Sequence, residues 1–403
     1  MSSYASLLKT PGVARLIAAQ LTARFPNGML SLGYLLHIEH IFGSYGAAGL
    51  VLATTSIGQA IAGPLTSRWM GRWGMRPVLI LTTIVCALSM SAIAFLPIMP
   101  LVAYMAIGFV GGLSTPPVQP AVRTIYPKMV NSRQLPPLFS LDASAQEIIW
   151  IAAPVLITFV SVQISTVLGI AIAIVFLIAG GAWFIASPEV GQVRIPRSKR
   201  RFGVVLTRPP VLLATVVGFL VVGSCSAIEA GVVATFGEGG PQSGIVLAIW
   251  AVASLGGGLL LGHLPIGPTA LPRRLIVVFL GAALSIFAWD FWSLVVALVI
   301  AGICLAPALA VMFAIVSASV RFSDTAEAYG WVGTGQLIGA AAGSAVAGFL
   351  IDGSGASGAF WTAAIFAAVG FLVPVIFRGA HPDLRGRDVS PAPDTAPVPV
   401  QPS

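Results

Sequence analysis

The sequence predicts an all-α integral membrane protein with twelve transmembrane helices in two pseudo-symmetric six-helix bundles. Three observations lead there. First, 57% of the 403 residues are hydrophobic and only 8% are charged, whereas a soluble domain carries about 25% charged residues. A chain this apolar has too little polar surface to face water, so its solvent is lipid. Second, apolar runs recur from end to end at the length a bilayer core requires, roughly 20 residues per helix. Third, the basic residues fall almost entirely on alternate connections between those runs.

Cutting the apolar runs at their breakers gives spans at 12–36, 46–67, 77–97, 101–122, 139–162, 165–186, 210–235, 242–262, 273–290, 292–317, 325–350 and 358–377. Only the polar VQIST around Gln163 separates the fifth from the sixth. With these spans, 20 of the 21 Lys and Arg residues lie on one side, and the remaining one, Arg24, lies within the first span. Cytoplasmic loops are the ones enriched in Lys and Arg, so both termini are expected in the cytoplasm. A missed or merged span would scramble that alternation.

The net charge of +8 therefore reads as topology, and no nucleic-acid partner is expected. Cys86, Cys225 and Cys304 all fall in apolar runs and read as small core residues, with no disulfide or metal framework. No cleavable signal peptide is expected. The first apolar run is long, holds Arg24 and lacks a clear cleavage site.

Shifting the chain by 198 residues overlays the start of the second half on the first. Pro11 meets Pro209, Gly33 meets Gly231, Gly46 meets Gly244 and Gly58 meets Gly256. The matched types fix backbone geometry rather than chemistry. The longest internal connection, 188–209 with the basic run RIPRSKRR, lies just before the second copy. The expected organisation is a bundle at 1–187, a cytoplasmic linker at 188–209, a second bundle at 210–377 and a disordered cytoplasmic tail at 378–403. The tail is expected to be disordered because it is polar and proline-rich.

Between the second and third spans lies GPLTSRWMGRWGMRP, with Gly63, Leu65, Arg68, Gly71, Arg72, Gly74 and Arg76. With the span count, the repeat and the linker position, this loop resembles the signature of the major facilitator superfamily. The resemblance covers essentially the whole chain. It implies secondary transport by alternating access, with the substrate site between the halves near midplane. It departs from the pattern at Ser67, where the family usually has aspartate. There the acid faces the start of the eleventh span and helps hold the halves together. A serine can still accept from orphan amides at a helix start but offers no charge–dipole attraction, so a weaker latch is expected.

Ionisable groups inside spans are functional candidates by default. Gln20, Arg24, Asn27, Ser31 and Tyr34 recur at helical spacing and form one polar stripe on the first span. That stripe is expected to line a cavity. Glu147 in the fifth span lies at a depth similar to Arg24, and the resembled fold lets those spans approach, so an Arg24–Glu147 pair is expected. Glu229 in the seventh span is a second acidic candidate, placed toward the outer mouth. Gln119 lies beside the prolines that interrupt the fourth span. Trp150, Trp250 and Trp331 fall within spans and are candidates for the cavity floor, though packing is the role expected first for each. Asp324 to Glu327 fits a capping box at the start of the eleventh span, and Asp142 reads as a structural acid near a helix start. Gly335, Gly339 and Gly343, like Gly108 and Gly112, are spaced for close helix approach.

No phosphate-binding loop, nucleophile or metal constellation is present in the sequence, so no enzyme activity and no cofactor beyond a proton gradient is expected. Exporters of the resembled family often carry Gly-Pro in the fifth span, and here the matching place reads Ala153-Pro154. The expected function is therefore proton-coupled efflux of a small molecule, resembling bacterial efflux-type members. Proton-coupled uptake and a non-transporting receptor or scaffold are the alternatives. The expected setting is a monomer in the lipid bilayer of a bacterial inner membrane.

Overall fold

The computed structural model describes residues 2–96, 99–198, 200–236 and 241–394. Lys199 of the basic linker and the tail beyond residue 394 lie outside the described residues. After a short lead helix α1 (Ser2–Lys9), the first half comprises α2 (Val13–Phe42), α3 (Tyr45–Trp73), α4 (Met75–Phe95), α5 (Leu101–Leu113), α6 (Val118–Met129), α7 (Leu135–Gln163) and α8 (Thr166–Ala186). The linker holds α9 (Pro188–Gln192). The second half comprises α10 (Pro209–Phe236), α11 (Pro241–Leu261), α12 (Ala270–Ser285), α13 (Phe291–Ile303), α14 (Leu305–Ser319), α15 (Thr325–Ser354) and α16 (Ala356–Ile376).

The fourth span of each half is a broken helix, so these elements make twelve spans. Proline explains the first break: Pro116 and Pro117 fall between α5 and α6, where the missing N–H groups end the ladder. The second break is at Cys304, between α13 and α14. Ten of the spans are long and apolar enough to cross a membrane by length and composition alone. The other two are α2, which carries Arg15, Arg24 and Glu39, and α12, which has 16 residues. Twelve crossings put the start of α2 and the end of α16 on one side, called here the basic face.

The repeat is visible in the packing. Gly33 of α2 lies against Ile157 and Ile170, and Gly231 of α10 lies against Phe360. Gly58 of α3 touches the backbone of α5 at Phe109 and Gly112. Its counterpart in space is Gly257 against Ile303, one residue on from the sequence match at Gly256. The ladder on α15 works as expected. Gly335, Gly339 and Gly343 meet the carbonyls of Thr215, Phe219 and Gly223 so closely that a Cβ would collide.

Two expectations change. The segment from Gly63 to Trp73 is not a loop: α3 continues helical through Pro64 to Trp73, and the chain turns at Gly74 with φ 90°. Part of the tail is not free either. The backbone of Ala392 pairs with Val320 and Phe322, Leu384 N–H donates to the Ile266 carbonyl, and Leu384 and Val389 are buried. Composition predicted solvation of the whole tail, but two apolar anchors and a short stretch of backbone pairing hold residues 378–394 against the second half.

Candidate functional site between the halves

On the basic face the halves are closed against each other. Gly63 of α3 and Gly330 of α15 put their backbones in contact, and a Cβ on Gly330 would lie 2.5 Å from the Gly63 carbonyl. Thr334 donates to the Ala60 carbonyl at 2.7 Å across the same junction. On the other flank, Ser140 of α7 donates to the Gly258 carbonyl of α11 at 2.7 Å. Toward the opposite face, Gly49 of α3 and Gly348 of α15 have no heavy atom near them. The helices that touch at the basic face therefore diverge toward the other side, which leaves an open cavity.

Ser67 does not bridge the halves. It is buried, and its hydroxyl donates back to the Gly63 carbonyl at 2.5 Å within its own helix, so the expected serine-to-amide latch is absent. Arg68 replaces it. Its guanidinium meets Glu327 of α15 at 2.5 Å and also donates to the Arg200 carbonyl of the linker. Glu327 further accepts from the Gly203 N–H at 2.7 Å. The expected capping box is corrected accordingly, because Asp324 makes no side-chain cap and Glu327 is spent on the latch. Asp324 instead accepts from Ser198 of the linker at 2.6 Å. Gly71 packs on the Pro196 carbonyl, and Trp331 packs on Phe202 with ring centroids 5.7 Å apart. Trp331 thus packs in the closure, the role expected first for it, rather than flooring the cavity. Arg72 lies over Trp73, and Arg76 donates to the Ile185 carbonyl, capping the end of α8. The latch has the opposite polarity to the one expected: the acid is on α15 and the base on α3.

The intramembrane charges divide into two groups. In the first, Asp142 is fully buried and accepts from Gln20 at 3.0 Å, Tyr126 at 3.1 Å and Arg123 Nε at 3.0 Å. Arg24 lies 3.7 Å from the same carboxylate and donates to Gln20 at 2.8 Å and to Gln146. Gln119, placed with its carbonyl oxygen toward Arg123 as the surrounding donors require, accepts from both terminal guanidinium nitrogens at 2.8 and 2.6 Å. Arg123 also stacks 3.3 Å from the Phe313 ring centroid of α14, across the halves. The expected Arg24–Glu147 pair does not form. Gln146 and Glu147 differ by 100° around the helix, and it is Gln146 that faces α2. Asp142 was undervalued because α7 begins at Leu135, which puts this acid two turns inside the helix.

The second group is acidic. Glu147 is buried, and its Oε1 accepts from Ser254 of α11 at 2.9 Å, across the halves. Ser254 in turn accepts from the Ala306 N–H, at the helix break of the tenth span. Glu229 of α10 lies in electrostatic range of Glu147; it is exposed and sits nearer the end of α10 at Phe236 than its start on the basic face. No lysine or arginine pairs with either acid among the described residues. Asn27 and Ser31 of the α2 stripe are also exposed, whereas Gln20 and Arg24 are buried in the arginine network and Tyr34 in the bundle core. Trp150 is half exposed, and Trp250 is buried. Among the described residues, no His, Cys, Asp and Glu gather into a group able to hold a metal ion.

The family model described as Major Facilitator Superfamily matches residues 16–289 and again 272–401. The chain belongs to the major facilitator superfamily, a family of transporters rather than of catalysts. No curated protein sequence matches it significantly. Solved structures share its fold at low identity. The human organic anion transporter MFSD10 (TETRAN) aligns with TM-score 0.70 at 15% identity, over 90% of this chain and 100% of that one. A bacterial homologue of the iron transporter ferroportin, in an outward-facing state, aligns with TM-score 0.73 at 11% identity, over 91% and 99%. The E. coli fucose:proton symporter FucP aligns with TM-score 0.70 at 16% identity, over 91% and 98%.

Proposed function

We propose that this protein is a proton-coupled secondary transporter that exports a small molecule by alternating access. The observation that carries this is the Glu147–Ser254 hydrogen bond beside Glu229. A carboxylate of one half touches a hydroxyl of the other in the middle of the membrane, so its protonation state and the separation of the halves are linked. The moving bodies would be residues 1–187 and 210–377, joined by the linker 188–209. The basic face would be cytoplasmic, following the positive-inside rule, in a bacterial inner membrane, with the monomer as the working unit. The open cavity then faces outward, and the Arg68–Glu327 latch closes the inner side. The direction rests on Ala153-Pro154 within α7, the partial match to the exporter element.

The test is a transport screen in proteoliposomes with a pH-sensitive dye inside. Wild type should move protons against the substrate. Glu147→Gln should abolish that proton movement, and Arg24→Ala should lower flux. Unaltered proton movement in Glu147→Gln would refute the coupling assignment. Protons moving with the substrate would replace export by uptake.

A further inference from the structure

The two groups of intramembrane charge differ in what they leave for a ligand. Arg24 and Arg123 have side chains only 7% and 2% exposed, and both are engaged by Asp142. Neither presents a free guanidinium to the cavity. Glu229 makes no hydrogen bond or ion pair among the described residues, and the second oxygen of Glu147 accepts from none. Carboxylates inside a membrane protein without a counter-charge are costly. A proton or another cation relieves that cost.

An aromatic surface sits beside them. Trp150 follows Gln146 by four residues and Glu147 by three, so it shares their face of α7, one turn farther from the basic side. Gln146 looks toward α2 and Glu147 toward α11, so the face between them opens on the gap between the halves. Trp150 is 51% exposed there. Tryptophan is the best aromatic platform for a cation. Asn27 and Ser31 across the cavity add only neutral polar groups.

We propose that the cavity takes organic monocations with an apolar body, the positive centre held by Glu229 and Glu147 and the body seated on Trp150. This rests on the transport reading for its biological use, while the binding chemistry stands on the cavity alone. A permanent cation would occupy the same carboxylates as the protons, so it would compete with them directly.

The experiment uses the purified full chain in lipid nanodiscs and tetraphenylphosphonium as the probe, with tetraphenylborate as the anion of the same shape. Equilibrium dialysis should show saturable tetraphenylphosphonium binding that tetraphenylborate does not displace. Glu229→Gln and Trp150→Leu should each weaken it about tenfold, with Trp150→Phe recovering most of the loss. Wild type binding the anion in preference overturns the proposal without recourse to any variant. So does cation binding that neither Glu229→Gln nor Trp150→Leu changes in protein with a wild-type unfolding midpoint. The two readings fail separately. If a neutral or anionic substrate drives proton movement, the coupling stands and the cation site falls. If the probe binds as described but no substrate moves protons, the cation site stands and the coupling falls.

Discussion

Asp142 and Glu147 lie five residues apart on one helix, α7, and have opposite circumstances. Asp142 faces into its own half and is saturated by Gln20, Tyr126 and Arg123, with Arg24 close by. Glu147 faces the other half, has one serine as a partner, and looks across at another acid. A satisfied buried charge holds structure in place and resists change. An unsatisfied one responds to whatever cation arrives. The helix therefore carries a fixed point and a switch point, separated by little more than one turn.

The largest effect should come from breaking the fixed point. Asp142→Asn strands two buried arginines, which costs about 3–5 kcal/mol when one partner of a buried ion pair is removed. Thermal unfolding should show a large drop. Glu147→Gln, by contrast, should leave the unfolding midpoint close to wild type. Equal destabilisation by the two substitutions would erase the distinction between them.

The latch ranks next. Glu327→Gln keeps the shape but removes the charge that Arg68 and the Gly203 N–H address. Charge-assisted hydrogen bonds contribute about 1.5–3 kcal/mol, so the closed basic face should lose population by roughly ten- to a hundredfold. Labelling of a cysteine placed at Ala60 should rise. Unchanged labelling would mean that the contact between Gly63 and Gly330 closes the face by itself.

Ser67→Asp tests the family pattern directly. Because Ser67 is buried and turned toward the Gly63 carbonyl, a carboxylate there meets an acceptor rather than the start of α15. The substitution should lower the unfolding midpoint and leave labelling at the basic face unimproved. A tighter basic face would revive the original role of the acid.

The smallest effect concerns a carboxylate that is satisfied but fully in water. Asp290 caps α13, accepting from the Ser293 N–H at 2.9 Å, and the Ser293 hydrogen bonds hold its carboxyl below the usual aspartate range. A depressed folded value means that the cap stabilises above the ordinary aspartate pKa and is lost as pH falls through the folded one. Asp290→Ala should therefore lower the midpoint slightly at neutral pH and make no difference in strong acid. A difference that persists in acid would show that the cap works without its charge.

Much of the fold was legible in the sequence because lipid imposes a one-dimensional rule. Each crossing must be a long apolar helix, and basic residues mark one side, so spans, repeat and family could be read along the chain. The site was legible only as a set of residue types. Arg24, Gln20, Gln119 and Glu147 were named as candidates from the sequence, but the partners the structure gives them were not. The one-residue difference between Gln146 and Glu147 decides which half each faces. Asp142 was read as a structural acid near a helix start, but its partners were hidden because its helix starts a turn earlier than the apolar run. The available signal was that Arg24 and Arg123 both need an acid, and Asp142 stands little more than one turn from Glu147 on the same span.

The sequence by itself determined that this chain crosses a membrane twelve times, that its halves repeat and that it belongs among the major facilitators. Periodicity, charge placement and backbone-setting residues are local, and they survive any arrangement of the helices. Only the tertiary structure decided that Arg68 and Glu327 latch the basic face with reversed polarity. It also decided that both arginines are engaged by Asp142, and that Glu147 and Glu229 lie in electrostatic range of each other with no basic partner among the described residues. Those facts depend on the rotation of each helix about its own axis, and packing between helices sets that rotation.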